Sequence, residues 1–95
     1  MILEWLPTAI EDRMNAFSYI ELNSPRAAAE NDTRLVEAVL RLVDFPHSGR
    51  PGRVAETREL VIRGTSYLAV YRIVDERVVI IRLFHTAQDW PDDLG

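Results

Sequence analysis

Cysteine is absent from this 95-residue chain, so neither a disulfide nor a thiolate metal site can form. That fits a reducing cytoplasm. Lysine is absent too, and all 11 basic residues are arginine. Codon bias alone could produce this, but arginine also offers planar bidentate contacts that lysine cannot make. The two histidines, His47 and His85, form no metal-ligand pattern. No apolar run approaches the length of a membrane span, and Met1–Trp5 carries no basic segment of the kind that opens a signal peptide. The Gly49–Arg53 loop lacks the Gly-Lys-Ser/Thr of a phosphate-binding loop, so no cofactor is expected.

What is present suits one globular domain over residues 1–95, with 47% apolar residues and a core of modest size. The charge is uneven. The formal net charge is −4, yet residues 46–91 carry 7 arginines against 5 acidic residues. Tight binding to nucleic acid usually needs a basic chain, because counterion release supplies the affinity. Direct binding to DNA is therefore not expected.

The apolar pattern predicts a short strand at 2–6 that Pro7 ends. Thr8 reads as an N-cap, with Glu11 completing a capping box. Ile10, Met14 and Phe17, continuing to Ile20, recur at helical spacing and predict an amphipathic helix over 9–22. Ser24 caps and Pro25 opens a second helix, to about residue 44, which must fold back on the first as a hairpin. Pro46 stops it, and a Gly- and Pro-rich loop follows. Three strands are then predicted, at about 57–63, 66–74 and 77–85, joined by Gly64-Thr65 and Asp75-Glu76 as an antiparallel meander. The class is α+β, in the order β-α-α-β-β-β.

A two-residue turn at Asp75-Glu76 places Leu68 opposite Leu83. One face then collects Leu68, Val70, Val79, Ile81 and Leu83, with Arg72 and His85 near its ends, and suits the helices. The other collects Tyr67, Ala69, Tyr71, Ile73, Val78, Ile80, Arg82 and Phe84. Two helices cover one face only, so the second is expected to await a partner. Arg82, a charge in mid-strand, needs a partner or a wet face. It is expected to meet a second polypeptide or to pair internally with Glu59 or Glu4.

The C-terminal half resembles the RelE/ParE superfamily of bacterial type II toxins. Pro46-His47-Ser48-Gly49-Arg50-Pro51-Gly52-Arg53 is similar to its P-x-x-G-R-P-G-R loop, and Thr57–Val61 to its T-R-E-L-V strand. Tyr67–Arg72 is similar to its Y-x-x-x-Y-R strand, and Val79–His85 with Trp90-Pro91 to its last strand and tail. The resemblance implies a toxin neutralised by a small antitoxin with a ribbon-helix-helix DNA-binding part. It implies one of two activities: inhibition of DNA gyrase, as in ParE-like members, or cleavage of mRNA in the ribosome, as in RelE-like members. The His-x-x-x-x-Trp-Pro ending resembles the ParE-like side, with a ParD-like antitoxin.

Ribonuclease action needs an acid, a base and cations around the phosphate. Arg58, Tyr71, Arg82 and His85 are the set available, with Glu59 as a further base. Lysine is missing, and no Tyr or second His follows His85, unlike RelE-like nucleases. For the gyrase reading, Arg82, His85 and Trp90 are the expected target contacts. Tyr67, Tyr71, Ile80, Arg82 and Phe84 are the expected antitoxin contacts. Each has a plainer reading: His85 caps a strand, the tyrosines pack, and Trp90 sits at a rim.

Overall fold

The computed structural model describes residues 1–92 and 94. Strand β1 is Ile2–Trp5, followed by helices α1 (Pro7–Glu21) and α2 (Pro25–Arg41). Strands β2 (Arg50–Pro51), β3 (Arg58–Val61), β4 (Tyr67–Val74) and β5 (Arg77–His85) complete one five-stranded sheet, ordered β1-β5-β4-β3-β2. The α+β class and the helical hairpin agree with the sequence reading. Two details differ. The sheet is mixed, because β1 runs parallel to β5. The Gly/Pro-rich loop contributes the two-residue strand β2.

Ser24 caps α2 as expected, its Oγ accepting from the Ala27 amide at 3.1 Å, with Pro25 in the first turn. The start of α1 is a correction. Pro7 opens the helix instead of only ending the strand, and Leu6, whose side chain cannot cap, holds the N-cap position. The Thr8 hydroxyl is used elsewhere, donating to the Ile81 carbonyl at 3.0 Å.

The turn at Asp75-Glu76 has the expected length, with Val74 opposite Arg77 and Asp75 in the left-handed region at φ 54°. The pairing beyond it is not as expected. Val70 faces Arg82 while Tyr71 faces Ile80, so Ile81 is an extra residue on β5. Leu68 therefore faces Phe84, not Leu83. This bulge mixes the two predicted faces. The helices cover Tyr67, Ala69, Tyr71, Val78, Ile80 and Leu83. Leu68, Val70 and Phe84 lie on the far face, against Trp90 and Leu94.

The orientation of α1 explains why. Its inward residues are Ala9 and Ala16, small enough to let the helix lie close to β5. The bulkier Ile10 and Met14 turn outward, 46% and 64% exposed. The sequence reading took that bulky stripe for the core face. Close approach lets α1 stand in for a missing strand along the outer edge of β5. The Leu6 amide donates to Ile80 O, Thr8 bonds Ile81 O, and the Asp12 carboxylate accepts from the Leu83 amide at 2.9 Å. An otherwise open edge is thereby closed.

Candidate functional site

The Pro46–Arg53 loop is built on two buried side chains of the sheet. Tyr71, wholly buried, donates its hydroxyl to Pro46 O at 2.7 Å and accepts from the Gly49 amide at 2.9 Å. Glycine is required at 49 by this approach, since a Cβ there would stand 2.6 Å from the Tyr71 oxygen. Burial pushes the Tyr71 hydroxyl up from its ordinary pKa, against the opposing pull of Gly49 and Arg58. On the other strand, Glu59 is 3% exposed and accepts from the Arg53 amide at 2.8 Å. It also binds the guanidinium groups of Arg50 at 3.1 Å and Arg53 at 3.3 Å. Burial drives its carboxyl up, but the hydrogen bonds from Arg53 and Arg50 outweigh that and hold it below the usual range. Arg58 clamps the same loop through Gly49 O at 2.6 Å.

Arg53 continues the chain of contacts outward. Its guanidinium lies 3.6 Å over the Trp90 ring, and Trp90 in turn tilts against Phe84 at 4.6 Å. The C-terminal tail therefore lies on the far face of the sheet, over Leu68, Val70 and Phe84. The expectation of a sheet face left open for a partner is not met. One face is under the helices and the other is shielded in part by the chain's own tail.

Arg82 pairs internally, as one of its two expectations had it, but with another partner. It forms two parallel hydrogen bonds with Asp12 of α1, at 2.7 and 3.0 Å, with side chains 19% and 13% exposed. Asp12 raises the Arg82 pKa, more than burial lowers it. Neither Glu59 nor Glu4 is its partner; Glu4 pairs with Arg77. Arg82 also lies over the Phe84 ring at 4.7 Å.

Of the residues considered for chemistry, Arg58, Tyr71 and Glu59 meet at the loop, and His85 stands apart from them. Arg58 pairs with Tyr71 on the ladder, but His85 pairs with Tyr67. Tyr67 and Tyr71 are four positions apart on β4, about 13 Å at strand rise. His85 is half-buried, its ring edge-on to Tyr67 at 5.4 Å and its Nδ1 accepting from the Ala87 amide. Burial, then Tyr19, raises the Tyr67 hydroxyl. Of the expected antitoxin contacts, Tyr67, Tyr71, Ile80 and Phe84 are all buried within this chain.

Sequence reasoning missed the surface that is open. Ile10, Met14 and Phe17 of α1, with the Arg13–Asp32 ion pair beside them, line a shallow groove of about 350 Å³ on the helical hairpin. Tyr19, Leu22, Leu40 and Phe45 add exposed apolar surface on the same two helices and their ends. The signal was the alanine pair 9 and 16, at the spacing of an inward stripe.

Residues 3–90 match the family described as the ParE toxin of type II toxin–antitoxin systems, parDE. A Sinorhizobium fredii protein named "Putative toxin Y4kP" is 39% identical over 92 residues, spanning 97% of this chain and 95% of that one. The structure is similar to that of a chain in a chromosomal ParDE system from P. aeruginosa, with a TM-score of 0.81 and 27% identity over 90% of this chain and 95% of that one. A chain of the RelBE2 toxin–antitoxin complex of Mycobacterium tuberculosis gives a TM-score of 0.62 and 31% identity, over 88% and 95%. With two helices on this mixed sheet and a family match across nearly its whole length, the chain belongs to the ParE toxin family of type II toxin–antitoxin systems.

Proposed function

We propose that this toxin inhibits DNA gyrase by protein–protein contact, acts in the cytoplasm, and is neutralised by a ParD-like ribbon-helix-helix antitoxin. The observation that carries the reading is how the groups a nuclease would need are used. The Tyr71 hydroxyl is occupied by Pro46 and Gly49, Arg82 by Asp12, and His85 stands at the other end of β4 from Arg58. Glu59, Arg50, Arg53, Arg58 and Tyr71 do meet around the Pro46–Arg53 loop, but each is engaged in holding that loop, and His85 is not among them. The closer structural fit to the ParDE chain, with a TM-score of 0.81 against 0.62 for the RelBE2 chain, supports the same side, although the sequence identity is 27% against 31%.

His85 and Trp90, at the end of β5 and in the tail, are the proposed target contacts. Arg82 serves them indirectly, by fixing β5 to α1. The solved relatives come from toxin–antitoxin systems, which supports an antitoxin partner. The apolar stripe of the hairpin is where it would shelter this chain, since that surface is apolar and exposed while the helices cover one sheet face and the tail part of the other.

The test adds the purified protein to gyrase with relaxed plasmid, and separately to translating ribosomes. Supercoiling is expected to stop, and to resume on addition of the antitoxin, while mRNA stays intact. Cut mRNA with unaffected supercoiling would reverse the assignment.

A further inference from the structure

The outer margin of β3 carries charge and backbone groups that the reading above leaves unused. Residues 50–74 hold five arginines against two glutamates, in a chain of net charge −4. Glu56 pairs with Arg72, and Glu59 is shared by Arg50 and Arg53. Among the described residues, no carboxylate stands within ion-pair distance of exposed Arg63.

Beside these arginines the sheet edge is open. Strand β2 covers β3 only at Arg58 and Glu59. The Ile62 amide donates to Tyr67 O on the β4 side, so by antiparallel alternation Val61 turns its N–H and C=O outward. Continuing the β2 register would bring Ser48 opposite Val61, but Ser48 has left the strand and gives its amide to Phe45 O at 3.1 Å. Val61 is 49% exposed. A shallow groove of about 340 Å³ runs along this margin, lined by Ser48, Arg50, Glu59, Leu60, Val61 and Arg63.

We infer that this groove takes an extended, acidic peptide segment of a protein partner, which adds to the β3 edge at Val61 while its carboxylates meet Arg63 and Arg50. Two observations select that occupant. An outward N–H and C=O at strand spacing match another backbone, which a phosphate or a nucleic-acid strand does not offer. The local surplus of arginine selects acidic side chains, while the overall negative charge opposes a polyanion the size of a nucleic acid. The inference stands apart from the choice of toxin target, because it concerns binding alone.

The experiment titrates the full chain with two labelled peptides, one alternating Glu and Val, the other alternating Lys and Val, and follows anisotropy at low and high salt. The acidic peptide is expected to bind, more weakly as salt rises, and the basic one not to bind. Arg63→Glu should weaken binding roughly tenfold. Val61→Pro, which removes the outward donor without touching the β4 ladder, should weaken it as well, with an unchanged melting temperature in both variants. Equal binding of the two peptides overturns the proposal. So does indifference to both substitutions, or tighter binding of a single-stranded oligonucleotide than of the acidic peptide.

Discussion

Arg82 and Asp12, seventy positions apart in the chain, grip each other in a bidentate pair that ties the last strand to the first helix. Asp12 also holds the Leu83 amide, so one carboxylate serves both the side chain and the backbone of β5. Of the two expectations for Arg82, a second polypeptide or an internal partner, the pair meets the second, with Asp12 in place of Glu59 or Glu4.

Asp12→Ala and Arg82→Ala are each expected to lower the unfolding free energy by about 2–4 kcal/mol, because each orphans a half-buried charge. Urea titration would read this as a lower midpoint. The double variant should cost less than the sum of the two, which a double-mutant cycle tests.

Tyr71 fills the core with its ring and holds the loop with its hydroxyl. Tyr71→Phe is expected to cost about 1–3 kcal/mol through the orphaned Gly49 amide and Pro46 carbonyl. Tyr71→Ala should cost about 3–5 kcal/mol, since a cavity is added. Thermal unfolding of the two variants, compared at equal concentration, separates the two contributions.

Glu59 sets an acid limit. Its carboxyl is held below its ordinary value of 4.5 in the folded chain. The folded state therefore binds this proton less readily than the unfolded state does, and stability falls with falling pH. The contribution is complete above 4.5 and is lost as pH drops through the depressed value. Asp32, lowered by its hydrogen bond to Arg13, acts in the same direction. The stability gap between the natural chain and Glu59→Gln is expected to narrow from about pH 4.5 downward. A gap constant with pH would remove Glu59 from this account.

The hairpin stripe invites the opposite experiment. Met14→Gln and Ile10→Gln alter exposed positions and should leave stability within about 0.5 kcal/mol. Antitoxin affinity, measured by calorimetry, is expected to fall roughly tenfold for the pair of changes.

Periodicity and punctuation made the elements legible. Ser24 and Pro25 marked the start of α2, and Asp75-Glu76 marked the β4–β5 turn. Tyr67, Tyr71 and Ile80 share one face as expected, but the sequence did not show that the helices cover that face, and the bulge at Ile81, which moves Leu83 onto it and Phe84 off it, has no signature in a run of valines and isoleucines. The α1 stripe misled for a related reason. Hydrophobicity favoured Ile10 and Met14 as the inward face, but the buried residues of α1 are Ala9 and Ala16, and of that stripe Ile20 packs against the core. Pairing over seventy positions, as for Asp12 and Arg82, leaves no local trace at all. The site was legible as a set of residue types and not as an arrangement.

The extra residue at Ile81 means that β5 is two half-strands spliced out of phase. Val78 and Ile80 point toward the helices before the splice, and Leu83 after it. A polar scan along this strand should find Val78, Ile80 and Leu83 intolerant through the helix-side core, and Phe84 through the cluster on the far face. Deleting Ile81 would restore a single rhythm, and would turn either Leu83 and His85 or Val78 and Ile80 to the wrong side.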